Sequence, residues 1–191
     1  MSKKDYIIPE CFVETAMAKI LLNVGDVNHQ SGCNEVSRCM QKKFKDEFAV
    51  GMIDADKKQH TYSITACKIC ESEHLCVKKA SEKSHYFILV KPAMEKFILD
   101  ICQTGTSLKD LNLPDNLDGL KKITKDSKAT QKNCQTLNQL FKTKCKENAE
   151  MMALKDLLAY LDNNKYNVSN EEICNIFSTH NVLIANGKSG C

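Results

Sequence analysis

The sequence predicts an α/β protein: a small, mainly parallel sheet flanked by helices over residues 1–103, and an all-helical part packed on it over residues 104–191. Three observations predict this. Short apolar runs alternate with helical periodicities through the first half, the pattern of βα units. The apolar run Ala49-Val-Gly-Met-Ile stops abruptly at Asp54-Ala-Asp56, as a strand does at a sheet edge. Beyond Gly105 the strand-like runs vanish and leucines recur at helical spacing.

Taken in order, residues 6–13 read as the first strand, ending in Glu14. Glu14 to Val24 follows as a helix with Ala16, Met17, Ile20, Leu21 and Val24 on its apolar side, and Gly25 stops it. Residues 27–30 form a short second strand with Ser31-Gly32 as the turn after it. Asn34–Phe44 is a helix facing inward through Val36, Cys39, Met40 and Phe44. Residues 48–53 are the third strand. His60–Cys70 reads equally as loop or short helix. Leu75–Lys79 reads as a strand, and His85–Val90 as a buried strand rich in aromatic and β-branched residues. Pro92 opens a helix running to Cys102, with Met94, Phe97, Ile98 and Ile101 buried.

In the second half, Leu108, Leu111, Leu113 and Leu117 gather around Pro114. Helices are expected over 127–146 and 149–162. Ser169-Asn-Glu-Glu172 fits a capping box ahead of Ile173, Ile176 and Phe177. A last short strand over Val182–Ala185 is an open alternative.

Composition sets the class. The chain has 191 residues, 27% charged and 42% hydrophobic, as in ordinary globular proteins. No apolar run nears the roughly 20 residues of a membrane span. The start Met1-Ser-Lys-Lys lacks a signal-peptide core, so the cytoplasm is the expected location. Eleven cysteines without a signal read as reduced small hydrophobes rather than a disulfide framework. Residues 121–146 hold eight lysines against one acid, Asp126; Lys121, Lys125, Lys128 and Lys132 share a face if the segment is helical throughout. Such a face suits phosphates or is simply solvated. Arg38 is the only arginine, so bidentate phosphate recognition is nearly absent.

The acids carry the chemistry. Two carboxylates one residue apart repel unless a cation neutralises them, and hard divalent ions prefer oxygen ligands. Glu14 joins Asp54 and Asp56 if the first and third strands are parallel neighbours. Glu95, in the first turn of the next helix, lies near the same rim, where it also complements the helix dipole. His29 in Asn28-His-Gln-Ser is a further candidate for that rim.

The order strand–Glu14–helix, short strand–Gly32–helix, strand–Asp54-Ala-Asp56 resembles the Toprim domain of primases, topoisomerases and overcoming-lysogenization-defect nucleases. His85-Tyr-Phe-Ile-Leu-Val-Lys-Pro-Ala-Met-Glu95 is similar to the strand-to-helix segment of the nuclease branch. The resemblance covers about residues 5–100. It implies Glu14, Asp54 and Asp56 as catalytic residues, these and Glu95 as Mg²⁺ or Mn²⁺ ligands, and phosphodiester chemistry on DNA or RNA. The sequence departs from the family in having Thr15 where a glycine follows the first acid.

Cys67-Lys-Ile-Cys70-Glu-Ser-Glu-His74-Leu-Cys76 offers four soft ligands in ten residues. Its second half lacks a familiar zinc spacing, so zinc at Cys67, Cys70, His74 and Cys76 is disfavoured. The sequence therefore predicts a Mg²⁺-dependent nuclease whose lysines hold the nucleic-acid backbone. Its rival is a non-catalytic Toprim-like interaction module in a larger assembly, working with a partner ATPase. No membrane partner is expected.

Overall fold

The structure, a computed structural model, describes residues 2–55, 60–124 and 132–182. Seven strands occur among them: β1 (Lys3–Lys4), β2 (Ile7–Pro9), β3 (Asp26–Val27), β4 (Ala49–Asp54), β5 (Cys67–Glu71), β6 (Leu75–Lys79) and β7 (His85–Val90). The α-helices are α1 (Phe12–Leu22), α2 (Cys33–Lys42), α3 (Thr61–Ile64), α4 (Met94–Ile101), α5 (Leu117–Thr124), α6 (Cys134–Glu147), α7 (Ala149–Asn164) and α8 (Asn170–Thr179).

Five strands form the central sheet in the order β2-β4-β7-β6-β5, while β1 and β3 make a separate two-stranded ladder. The sheet is mixed, not mainly parallel. β2, β4 and β7 run parallel; β5-β6 and β6-β7 are antiparallel. The reason is connection length. Parallel neighbours need a crossover of a dozen residues or more, and only residues 72–74 join β5 to β6, with 80–84 joining β6 to β7.

Strand alternation builds two apolar layers. Val50, Met52, Tyr86, Ile88 and Val90 face one layer, shared with α1, α4 and the C-terminal helices. Ala49, Ile53, Phe87 and Leu89 face the other, with Val36 and Met40 of α2. At Gly51 the second layer is so close that a Cβ would lie 2.8 Å from Met40 Sδ and 2.9 Å from Val36 Cγ1.

The first layer continues without a break from Ile7 and Met17 to Leu140, Phe141, Leu154, Leu158 and Phe177, so residues 104 onward complete the core of the first half. α1 packs between the sheet and α6 and α7. α8 lies on β5, where the Cys174 thiol reaches the Ile69 carbonyl at 3.7 Å. No helix among the described residues is long and apolar enough to cross a membrane.

Several expectations shift. The first strand stops at Pro9 and α1 begins at Phe12, which puts Glu14 inside the helix rather than at the strand's end. The second strand is only Asp26–Val27. His60–Cys70 contains both α3 and most of β5. The helix after β7 starts at Met94, two residues past Pro92. The helix expected over 127–146 is α6, described from Cys134. Asp56, Lys125 and Lys128 lie outside the described residues, as do residues 183–185 of the proposed last strand.

Candidate functional site

The parallel strands deliver acids to one edge. Pro9 pairs with Met52, so Glu10 and Asp54 leave the C-terminal ends of neighbouring strands. In open α/β sheets that edge is where ligands bind. Glu10 N–H donates to the Met52 carbonyl (3.0 Å), carrying the ladder one step beyond β2. The Glu10 carboxylate then accepts the Asp54 N–H (3.2 Å).

Asp54 reaches across to the third parallel unit. Its Oδ1 accepts the Met94 N–H (2.9 Å) at the start of α4. Ala93, the N-cap residue, has no side-chain hydrogen bond to offer, so Asp54 serves one of the orphan donors that every helix start leaves. Ala93 is extended (φ −158°, ψ 161°), so α4 begins at Met94 and not at Pro92. Glu95, the next residue, accepts from Thr124 Oγ1 (2.6 Å) at the end of α5.

Glu10, Asp54, Glu95 and Thr124 line one cavity of about 400 Å³, with Phe12 and His29 also in its wall. All three carboxylates are buried, as is Thr124. Among the described residues, no three His, Cys, Asp or Glu side chains are close enough to hold a metal ion by themselves. Beside the Cys11 thiol and the His29 ring, the wall's three carboxylates offer oxygen donors that suit a hard cation taking the rest of its shell from water and substrate.

Glu14 has a different place. It is the third residue of α1, wholly buried, and its Oε2 accepts the N–H groups of Glu10 (3.0 Å) and Cys11 (3.1 Å). With the Cys11 thiol accepting the Glu14 N–H, this is a capping box. Glu14 is not in the cavity wall; it fixes the turn that carries Glu10.

Glu10 is the residue that sequence reading passed over. The signal was Pro9. A first strand read through Pro9 to residue 13 overruns the true end; with Pro9 as the last strand residue, Glu10 becomes the acid at the edge. Thr124 carried no signal of its own, because only the fold brings α5 against α4. His29, by contrast, lies on the rim where its loop suggested.

Cys11 does not act as a thiolate. Burial, then the charges of Glu14 and Asp54, push its pKa well above the ordinary thiol value. Burial also lowers the His29 pKa, so the imidazole is neutral at pH 7.

The cysteine-rich hairpin builds something other than a four-ligand site. His74 Nδ1 contacts Glu150 (2.5 Å) and Nε2 contacts Asp100 (2.9 Å), so both ring nitrogens are engaged by carboxylates. Cys70 and Cys76 are buried free thiols whose pKa values burial raises, that of Cys76 above the ordinary thiol value and that of Cys70 further still.

Of the expected lysine face, Lys121 and Lys132 are described, while Lys125 and Lys128 lie outside the described residues. Lys144 is fully buried, donating to the Thr104 carbonyl (2.8 Å) and pairing with Glu147 (2.9 Å). Lys122, Lys132, Lys142 and Lys146 are exposed. Lys121 and Lys122 occupy the last turn of α5, just before Thr124 of the cavity wall.

Comparison of the chain with protein-family models, with curated proteins and with solved structures returned no match.

Proposed function

We propose that this protein is a Mg²⁺- or Mn²⁺-dependent enzyme acting on phosphodiesters, with a Toprim-like arrangement of its parallel strands and a nucleic acid as substrate. One observation carries this reading: three buried carboxylates from successive parallel units, Glu10, Asp54 and Glu95, share a single cavity. Carboxylates brought to one cavity supply the oxygen ligands that hard divalent cations prefer.

Asp54 and Glu10 would hold the ion, with Glu95 completing the oxygen set. When bound, such an ion neutralises charge on a phosphoryl oxygen and supplies an activated water. The chain's own residues do the rest. The Glu14 capping box fixes the backbone that presents Glu10. Asp54 is oriented by the Met94 N–H, and Thr124 orients Glu95. Lys121 and Lys122 place positive charge beside the cavity for the substrate backbone.

A non-catalytic interaction module is the second reading, and one observation favours it. Each wall carboxylate already accepts a hydrogen bond from the protein, and those bonds hold β4, α4 and α5 together. On that reading the acids are structural and the protein works beside a partner that supplies the chemistry.

Asp54→Asn and Glu10→Gln separate the two, since each keeps a carbonyl acceptor and removes the charge. Isothermal titration of Mg²⁺ and Mn²⁺ should give saturable binding for the wild type and none for either variant, with thermal midpoints in metal-free buffer nearly unchanged. Wild-type cleavage of labelled DNA or RNA oligonucleotides in Mn²⁺ should vanish in Asp54→Asn. A wild type that neither binds these ions nor cleaves would overturn the metalloenzyme and leave the interaction module.

A further inference from the structure

The cavity that holds the acids has an aromatic lip. Phe12 is 39% exposed, although it is the first residue of a helix whose inner side is buried. Its ring stacks on His29, with centroids 4.4 Å apart and planes inclined by 23°. Both rings belong to the wall that Glu10 and Asp54 share.

The His29 ring is locked. Thr15 Oγ1 contacts its Nδ1 at 3.2 Å and also donates to the Cys11 carbonyl at 2.8 Å. The hydroxyl has one proton. With that proton spent on Cys11, the ring must be the donor, so Nδ1 carries the hydrogen. The Asn28–Gln30 loop that bears His29 is held in turn: the Asn28 N–H donates to Ile7 O and the Gln30 N–H to Pro9 O, both at 2.9 Å. The stacked pair is therefore fixed to β2, the strand that presents Glu10.

We infer that the Phe12–His29 pair is a stacking platform for an unpaired nucleobase of the substrate strand, placing the adjoining phosphate over Glu10 and Asp54. The inference rests on the phosphodiester reading above and adds a substrate class to it: single-stranded nucleic acid, or a frayed end. Stacking on aromatic rings is how single strands are held without sequence preference, because every base has a π-face. A base inside a duplex is covered on both faces by its neighbours and cannot use the platform. The neutral imidazole fits the role, since its contribution is a flat ring rather than a charge.

The chain contains no tryptophan, so Phe12→Trp installs a single fluorophore on the platform. Single-stranded DNA or RNA oligonucleotides of 12 nucleotides should quench its emission saturably, and the same sequences as blunt duplexes should not. In fluorescence anisotropy, Phe12→Leu should weaken single-strand binding by roughly tenfold, and Phe12→Trp should retain it. In cleavage assays Phe12→Leu should raise KM far more than it lowers kcat.

Asp54→Asn on the Phe12→Trp background separates the failures. Quenching that survives without cleavage supports both proposals. Single strands that bind the wild type and Phe12→Leu equally, without quenching Phe12→Trp, overturn the platform and leave the phosphodiester reading standing. If no oligonucleotide binds and none is cleaved, both fall.

Discussion

His74 shows how one side chain reports on solution conditions. It sits in the turn between β5 and β6, with Glu150 of α7, Asp100 of α4 and the adjacent Glu73 around it. Lys96 also pairs with Asp100. Burial works against the charged ring, but the hydrogen bonds and charges of Glu150, Asp100 and Glu73 outweigh it, and the His74 pKa is raised. A histidine raised in the folded state stabilises fully below its unfolded value of about 6.5, and that contribution is lost as pH rises through the folded value. His85 acts oppositely, because burial lowers its pKa. The difference between wild type and His74→Asn isolates the first effect. The variant should be less stable than wild type at pH 5.5, and the gap should narrow steadily toward pH 9 in urea titrations. A gap independent of pH would remove the imidazolium from the account.

At the same scale, the positions of Asp54 and Glu95 were legible because one ends a clear strand and the other lies in the first turn of a clear helix. Glu10 and Glu14 exchanged places because strand ends are decided by one residue, here Pro9. No local rule states that a proline will be the last member of a ladder rather than a break in it. Thr124, Asp100 and Glu150 were out of reach altogether, since their partners are 26 to 76 residues away in sequence.

Elements transmit position to the cavity. α2 begins at Gly32, whose φ of +97° suits a residue without a side chain, and the Ser31-Gly32 turn forms part of the cavity wall. The distance of α2 from the sheet is set at Gly51. Ala at position 51 would bring a methyl group against Met40 and Val36 at under 3 Å. Met40 can rotate, but Val36 is stiff and fixed to its helix. Gly51→Ala should therefore cost about 1–3 kcal/mol by chemical denaturation, the range for overpacking a core. A neutral result would mean that α2 slides freely, and with it the Gly32 side of the cavity.

Periodicity announced β7, α1, α2, α4 and α8, but not β1, β5 or α5. Strand direction was not readable. Periodicity reports which residues face the core and is silent on whether a strand enters from the top or the bottom; the short links around β6 decide that.

For the whole molecule, the continuous core makes the C-terminal helices part of the same folding problem as the sheet. Tyr6 and Lys4 beside β2 both contact Asp162 near the end of α7, and the Phe48 N–H, just before β4, donates to the Tyr166 hydroxyl (3.2 Å). The site's strands are thus anchored from behind by residues more than 100 positions later.

The seat of α8 on β5 has a consequence for life in concentrated solution. β5 ends the sheet, and an uncovered outer strand offers unpaired backbone groups to any similar strand it meets. Here the Cys174 thiol occupies the Ile69 carbonyl, Ile173 and Phe177 cover the apolar side chains, and Lys68 adds charge. A chain ending at residue 168 would lose that cover. It should form thioflavin-binding, sedimenting assemblies at concentrations where the full chain stays dispersed; a truncated chain that remained monodisperse in light scattering would show that the bulge between Lys68 and Cys70 is guard enough.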